Sequence, residues 1–281
     1  MVRGPKQSTA TQKPRAVNLL VDADIYAFRA VSANYHQIEW EPDLWTYHVD
    51  MADAKAAFTQ QVAHLIKHLE PSVIVLATTQ AGGTNFRRAI LDSYKGGRSK
   101  KPPGYREFQE WIAESAVKEL SEHCKTEFIH YERATLEGDD VLGILATGGF
   151  DFLPGQKVIS SIDKDLKSVP GLHWRLDEHG KGVLSEVLLD DADMFHATQT
   201  LTGDTTDGYT GLPGIGPKKA EAILAAHKGN LPAMWEAVQD AYEKKGLTRD
   251  DMLVQARVAR ILRASDYDFE KRQPILWSPP E

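Results

Sequence analysis

Cysteine is nearly missing from this chain: Cys124 is the one thiol in 281 residues. A single thiol excludes an internal disulfide framework and a zinc centre built on paired cysteines, and it points to a reducing compartment such as the cytoplasm. Long apolar runs are lacking too, so no stretch reads as a membrane span. The opening segment MVRGPKQSTATQKPR is basic and polar, without the apolar middle of a secretory leader; residues 1–16 are expected to form a flexible tail. Nor is there an overall positive charge. A formal charge of −7 excludes a protein that coats nucleic acid with cation over its whole surface, and makes charge placement the informative quantity. His64 and His68 stand one helical turn apart in QVAHLIKHLE, but no acid accompanies them in an HExxH pattern, so no metal site is assigned to them.

What the sequence does contain is alternation. VNLLVD (17–22), SVIVLA (72–77), EFIHYE (127–132) and KVISSID (157–163) are short runs rich in Val, Ile and aromatics, and read as buried strands. Between them, Phe58, Val62, Leu65 and Leu69 mark one helical stripe, and Phe108, Trp111, Ile112, Ala116 and Leu120 another. Strands alternating with helices predict an α/β fold with a mainly parallel sheet over residues 17–189. From about residue 190 the strand signal fades, and helical patterns such as DMLVQARVARILRAS (251–265) predict a helical region over 190–281.

Carboxylates gather at the ends of these elements. Asp22 terminates the first strand, Glu137, Asp139 and Asp140 open a helical pattern in LEGDDVLGILA, Asp163 and Asp165 follow KVISSI, and Asp204 and Asp207 lie in GDTTDGYTG. Acids at helix starts commonly serve as caps. However, strand ends of a parallel sheet share one edge, where ligands usually bind. Acids converging there would repel one another unless a cation joined them, and all-oxygen ligands suit two Mg²⁺ or Mn²⁺ ions of the kind used to cut phosphodiesters. Positive charge is concentrated in Arg87, Arg88, Lys95, Arg98, Lys100 and Lys101 of the loop or arch at 86–106, and in Lys218 and Lys219. Beside bound metals these become candidates for holding phosphate. In GLPGIGPKKAEAIL, Gly214 and Gly216 permit a tight turn, Pro217 suits a first helical turn, and free amides face an anion, the pattern of a helix-hairpin-helix that grips a nucleic-acid backbone without reading bases.

Together, VDADIYAF, FRR with YKGGRSKKPPGY, LEGDDVLG, SIDKDLKSVPG, GDTTDGYTGLPGIG and QARVARILRASDYDFEKRQPILW, over roughly residues 17–277, resemble the 5′-3′ exonuclease and flap endonuclease family, above all the exonucleases of short-tailed bacteriophages. The resemblance implies a PIN-like α/β nuclease domain with a helix-three-turn-helix region, two divalent ions and release of 5′-phosphorylated products. The implied substrates are duplex DNA with 5′ ends or flaps, and RNA–DNA hybrids. By motif matching, Asp22, Glu137 and Asp139 would hold the first metal and Asp163, Asp165 and Asp207 the second, with Asp140 and Asp204 in or just behind the shell. Lys95 and Arg98 match the basic pair that contacts the scissile phosphate, Arg87 a nearby arginine; some relatives also bind K⁺ at the hairpin. One departure stands out: where many relatives carry an aspartate after the second strand, LATTQAGGTNFRR has no acid, so the first metal would be bound more weakly, through water, or with help from Asp24.

Two other enzyme readings stay open on sequence alone. LLVDADIY and GDTTD resemble motifs of haloacid-dehalogenase-type phosphatases, although Tyr26 and the helical pattern of FHATQTLTGD depart from them. A PIN-type ribonuclease would share the fold, and so would a DNA-binding protein that had lost cleavage.

Overall fold

A computed structural model describes residues 16–80, 82–177 and 181–280. The tail expected over 1–16 thus falls almost wholly outside the described residues. The chain runs β1 (Val17–Asp22), α1 (Ala23–Ala33), β2 (Tyr35–Glu41), β3 (Leu44–Val49), α2 (Met51–Leu69) and β4 (Val73–Ala77). After the basic segment come α3 (Tyr105–Trp111), a π-helical turn (Ile112–Ala116), α4 (Val117–Cys124), β5 (Glu127–Tyr131), α5 (Gly138–Thr147) and β6 (Gln156–Ser160). Then follow β7 (Gly171–Leu176), β8 (Gly182–Val187), α6 (Leu189–Thr202), α7 (Pro217–Leu224), α8 (Leu231–Glu243) and α9 (Arg249–Ala259). Among the described residues, no helix is long and apolar enough to cross a membrane.

The main sheet has the order β5-β4-β1-β6-β7-β8, parallel throughout except for the antiparallel β7–β8 pair. Successive strand side chains point to opposite faces. Leu19 and Val21 of β1 therefore join Phe58, Val62 and Phe108 under α1, α2 and α3, while Leu20 joins Val141, Leu142 and Leu145 of α5 on the other face. Burial on both faces is why these strands read as continuous apolar runs. The helices α6 to α9 enclose a separate core of Leu201, Leu224, Met234, Trp235, Val238 and Met252. The fold is mixed α/β of the PIN-like type, with a mainly parallel sheet and a helical C-terminal region.

Several elements differ from the sequence reading. The strand read as KVISSID ends at Ser160, because Ser161 and the acids beyond it turn out of the sheet. Two hairpins, β2–β3 and β7–β8, lay hidden in polar and aromatic stretches that do not read as buried strands. The long helix read over 251–265 stops at Ala259: Arg260 is extended, and Ile261 and Leu262 enter the sheet core beside α5.

Candidate active site

Register brings the acids together. Asp22 pairs with Ala77, and Val21 with Ser160, so the segments leaving β1, β4 and β6 open on one sheet edge. Asp22 caps α1, accepting the Ile25 N–H at 3.1 Å on Oδ1 and the Ser161 hydroxyl at 2.6 Å on Oδ2. Burial lifts its carboxyl to about 7, against the pull of Ser161 and with help from the charges of Asp24 and Asp163. Asp139, in the first turn of α5, is raised well above the usual range by burial and then by Asp22 and Asp163. Burial and Asp163 raise Asp165 to about 6. Burial first, and then the charge of neighbouring acids, disfavours the ionised form of all three, a condition that a divalent cation would relieve.

The opposite arm of the rim is balanced. Burial alone would raise Glu137, but Lys95, Arg87 and a Tyr94 hydrogen bond outweigh it and bring its carboxyl down to about 2. Lys95 Nζ pairs with Glu137 and lies 3.7 Å from Asp207 Oδ2, and Arg98 pairs with Asp207. Between the same two acids stands the Tyr94 hydroxyl, 2.8 Å from Glu137 Oε2 and 3.3 Å from Asp207 Oδ2. Lys95 itself adopts a left-handed φ of 54°, held by its N–H donating to the Asp207 carbonyl at 2.7 Å. Such strain in a non-glycine residue persists only where surrounding contacts enforce it. Among the described residues, no three carboxylates form a ready-made metal cage. They line a rim instead, and a cleft of about 610 Å³ bordered by Asp22, Asp24, Lys95, Arg98, Glu137 and Asp139 opens beside it. The all-oxygen donor set and its excess charge fit Mg²⁺ or Mn²⁺.

Three expected roles need correction. Arg87 is 2% exposed and cannot meet DNA: its guanidinium clamps Asp140 at 2.7 and 2.6 Å and reaches Glu137 at 3.2 Å. Asp140 is fully buried; its oxygens also accept the N–H groups of Glu137 and Leu262, both at 3.1 Å, so this acid holds structure rather than metal. Asp24 borders the cleft, but both of its oxygens are already engaged. It accepts the Thr79 N–H at 2.8 Å, the Gln109 amide at 3.1 Å and the Tyr105 hydroxyl at 3.3 Å.

The remaining candidates sit where ligand could reach them. Asp163 accepts the Asp165 N–H at 2.8 Å, and Asp165 accepts the Gln199 amide at 2.9 Å. Asp204 shapes its own loop, taking the Thr206 and Asp207 N–H groups and an ion pair from Lys164. Arg88, Lys100 and Lys101 are exposed, and Lys101 Nζ stands 4.6 Å from the Tyr105 ring centroid. In the hairpin, Gly214 has φ of 78°, whereas Gly216 is extended as the N-cap of α7 and uses no special freedom. Lys218 and Lys219 are exposed, and Lys219 Nζ closes the turn on the Gly214 carbonyl at 2.9 Å. The tighter requirement lies upstream: a Cβ on Gly203 or Gly211 would meet the other's strand at 2.3 Å.

Tyr94, Ser161 and Gln199 escaped the sequence reading because neutral side chains carry no charge pattern. Tyr94 had one available signal, its place immediately before Lys95 in the basic segment.

A family model described as the 5′-3′ exonuclease N-terminal resolvase-like domain matches residues 17–177. The exodeoxyribonuclease of Enterobacteria phage T3 is 30% identical over 93% of this chain and 92% of its own length. The exonuclease of Escherichia phage T7 is 30% identical over 93% of each. A DNA polymerase I of Streptococcus pneumoniae is 32% identical over 78% of this chain, which spans only 25% of that protein. Among solved structures, a phage T5 protein co-crystallised with metal ions superposes with a TM-score of 0.54 at 17% identity, covering 87% of this chain and 93% of that one. A T5 flap endonuclease complex with DNA and metal ions gives 0.52 at 18% identity, covering 86% and 93%. At these identities the superpositions show the fold.

Proposed function

The chain belongs to the 5′-3′ exonuclease family and is a nuclease, and on that premise we propose that it degrades duplex DNA from 5′ ends with two Mg²⁺ or Mn²⁺ ions. It releases 5′-phosphorylated products and acts also on flaps and RNA–DNA hybrids. Its setting is phage DNA replication, recombination or host DNA breakdown, in the host cytoplasm. The observation that carries this reading is the two-sided rim: raised, under-neutralised Asp22, Asp139 and Asp165 facing Glu137 and Asp207, which hold Lys95 and Arg98.

Asp22, Glu137 and Asp139 are assigned to one ion, and Asp163, Asp165 and Asp207 to the other, with Asp204 behind them. When bound, such ions polarise the phosphorus centre and favour in-line attack by water. Lys95 and Arg98 are placed to exchange their carboxylate partners for the scissile phosphate and to stabilise the charge that develops on it. Tyr94 bridges the Glu137 and Asp207 arms. Residues 17–189 serve as the nuclease domain and 190–281 as the gripping region, where Gly214, Gly216, Lys218 and Lys219 hold the duplex backbone. Arg88, Lys100 and Lys101 line the approach. Lys219 donates to the Gly214 carbonyl, and K⁺ would be held by the carbonyl oxygens of the same hairpin.

The test is cleavage of 5′-labelled duplex, flap and RNA–DNA substrates with Mg²⁺ and with chelator. Asp163→Asn is expected to lower turnover by about a hundredfold or more while retaining DNA binding. Full activity in that variant, or cleavage indifferent to chelator, would overturn the assignment.

A further inference from the structure

Asp24 is a carboxylate whose oxygens are claimed by two different parts of the molecule. Oδ2 accepts the Thr79 N–H at 2.8 Å, and the Thr79 hydroxyl in turn accepts the Gly138 N–H at 2.9 Å. Gly138 lies between Glu137 and Asp139, and a Cβ there would approach Asp24 Oδ2 to 3.2 Å, so the fit is close. Oδ1 accepts from Gln109 at 3.1 Å and Tyr105 at 3.3 Å, both on α3; the Tyr105 hydroxyl also reaches the Asp24 carbonyl at 3.3 Å. The basic segment enters α3 through Lys101, Pro102, Pro103 and Gly104. The Lys101 ammonium rests over the rings of Tyr105 and Phe28, 4.6 and 5.3 Å from their centroids, at the border of the cleft.

We propose that Asp24 is a positioning residue: a latch that fixes the end of the basic segment to the acid rim, and so sets where Lys101 meets the DNA strand in the cleft. This rests on the nuclease reading. A hydrogen-bonded carboxylate of this kind holds geometry without touching reacting atoms, and its charge makes each bond stronger than a neutral one. Loss of the Tyr105 and Gln109 bonds frees α3 and Lys101 while the Thr79 and Gly138 contacts beside the metal-binding carboxylates remain, so the cost appears in substrate engagement rather than in the chemical step.

The experiment compares wild type with Asp24→Ala and with the Tyr105→Phe, Gln109→Ala double variant, which cuts the same latch without altering α1. Both are expected to raise KM for a 5′-ended duplex about tenfold while kcat stays within about threefold. Both should speed amide exchange in α3 but not in β1, and combining all three changes should add little further. A hundredfold fall in kcat at unchanged KM would place Asp24 in the chemistry and overturn the latch, as would unaltered α3 exchange or full additivity. Exchange and DNA binding need no turnover. An inactive wild type would therefore sink the nuclease reading, while those measurements still decide whether Asp24 orders α3.

Discussion

Arg87 donates through both terminal nitrogens to Asp140, and through Nε and Nη2 to the carbonyls of Val258 and Arg260 at 3.1 and 2.6 Å. One side chain thus ties the basic segment to α5, to the last turn of α9 and to the extended Arg260 beyond it. Removing one member of a buried pair leaves the other charge without compensation, which costs about 3–5 kcal/mol. Arg87→Ala is expected to lose stability of that order in urea unfolding, with Arg87→Lys only partly restoring it because an ammonium cannot form the two parallel bonds. A loss below about 1 kcal/mol would show that Asp140 finds another partner. In the sequence Arg87 is indistinguishable from Arg88, its exposed neighbour; both follow Phe86, and only burial separates a structural clamp from a surface cation.

At the scale of elements, the proposed gripping of DNA is divided between the basic segment and the glycine hairpin. The segment docks on the loop after α6: the Ser93 hydroxyl donates to the Gly208 carbonyl at 3.1 Å, and a Cβ on Gly208 would meet the Ser93 carbonyl at 2.6 Å. The hairpin instead faces outward at the start of α7, with Lys218 exposed. Lys218→Ala is expected to weaken duplex binding at low salt and to reduce the slope of log affinity against log salt by about 1, leaving kcat on saturating DNA unchanged. A binding isotherm at several salt concentrations measures this, and an unchanged slope would mean that Lys218 touches no phosphate. Helix α7 was legible because apolar periodicity and the Gly-Pro-Lys punctuation are local. The hairpin β2–β3 was not: Ile38, Trp40, Leu44, Trp45 and Tyr47 are all substantially exposed, so no buried face imposes an alternation.

For the whole molecule, the uneven rim makes stability depend on pH and, on the proposed function, on divalent metal. Asp22 at about 7 and Asp165 at about 6 bind protons more tightly folded than unfolded, where a carboxyl titrates near about 4. Between those values the folded state holds more protons, so the metal-free protein loses stability as pH rises from about 4 to about 7. Glu137, at about 2, works in the opposite direction: its contribution is full above about 4 and is lost as pH falls toward 2. Thermal melts are therefore expected to show Mg²⁺ raising Tm more at pH 8, where the buried acids are ionised, than at pH 5, where protons compete. An equal shift at both pH values would mean that the ion binds elsewhere.

By itself the sequence determined the alternation of strands and helices, the placement of acids at element ends and the glycine-lysine turn, because each is written in local periodicity or in residues with few conformational options. It also carried the family, through motifs whose order survives at 30% identity to the phage exonucleases. Only the tertiary structure decided which of the neighbouring charges face solvent. Asp139 and Asp140 are adjacent in one helical turn, yet about 100° of helical rotation points one toward Asp22 and Asp163 and the other into the grip of Arg87. Charge type is a property of the residue, whereas its partner is chosen by contacts between segments dozens of residues apart, and those contacts exist only once the core has packed.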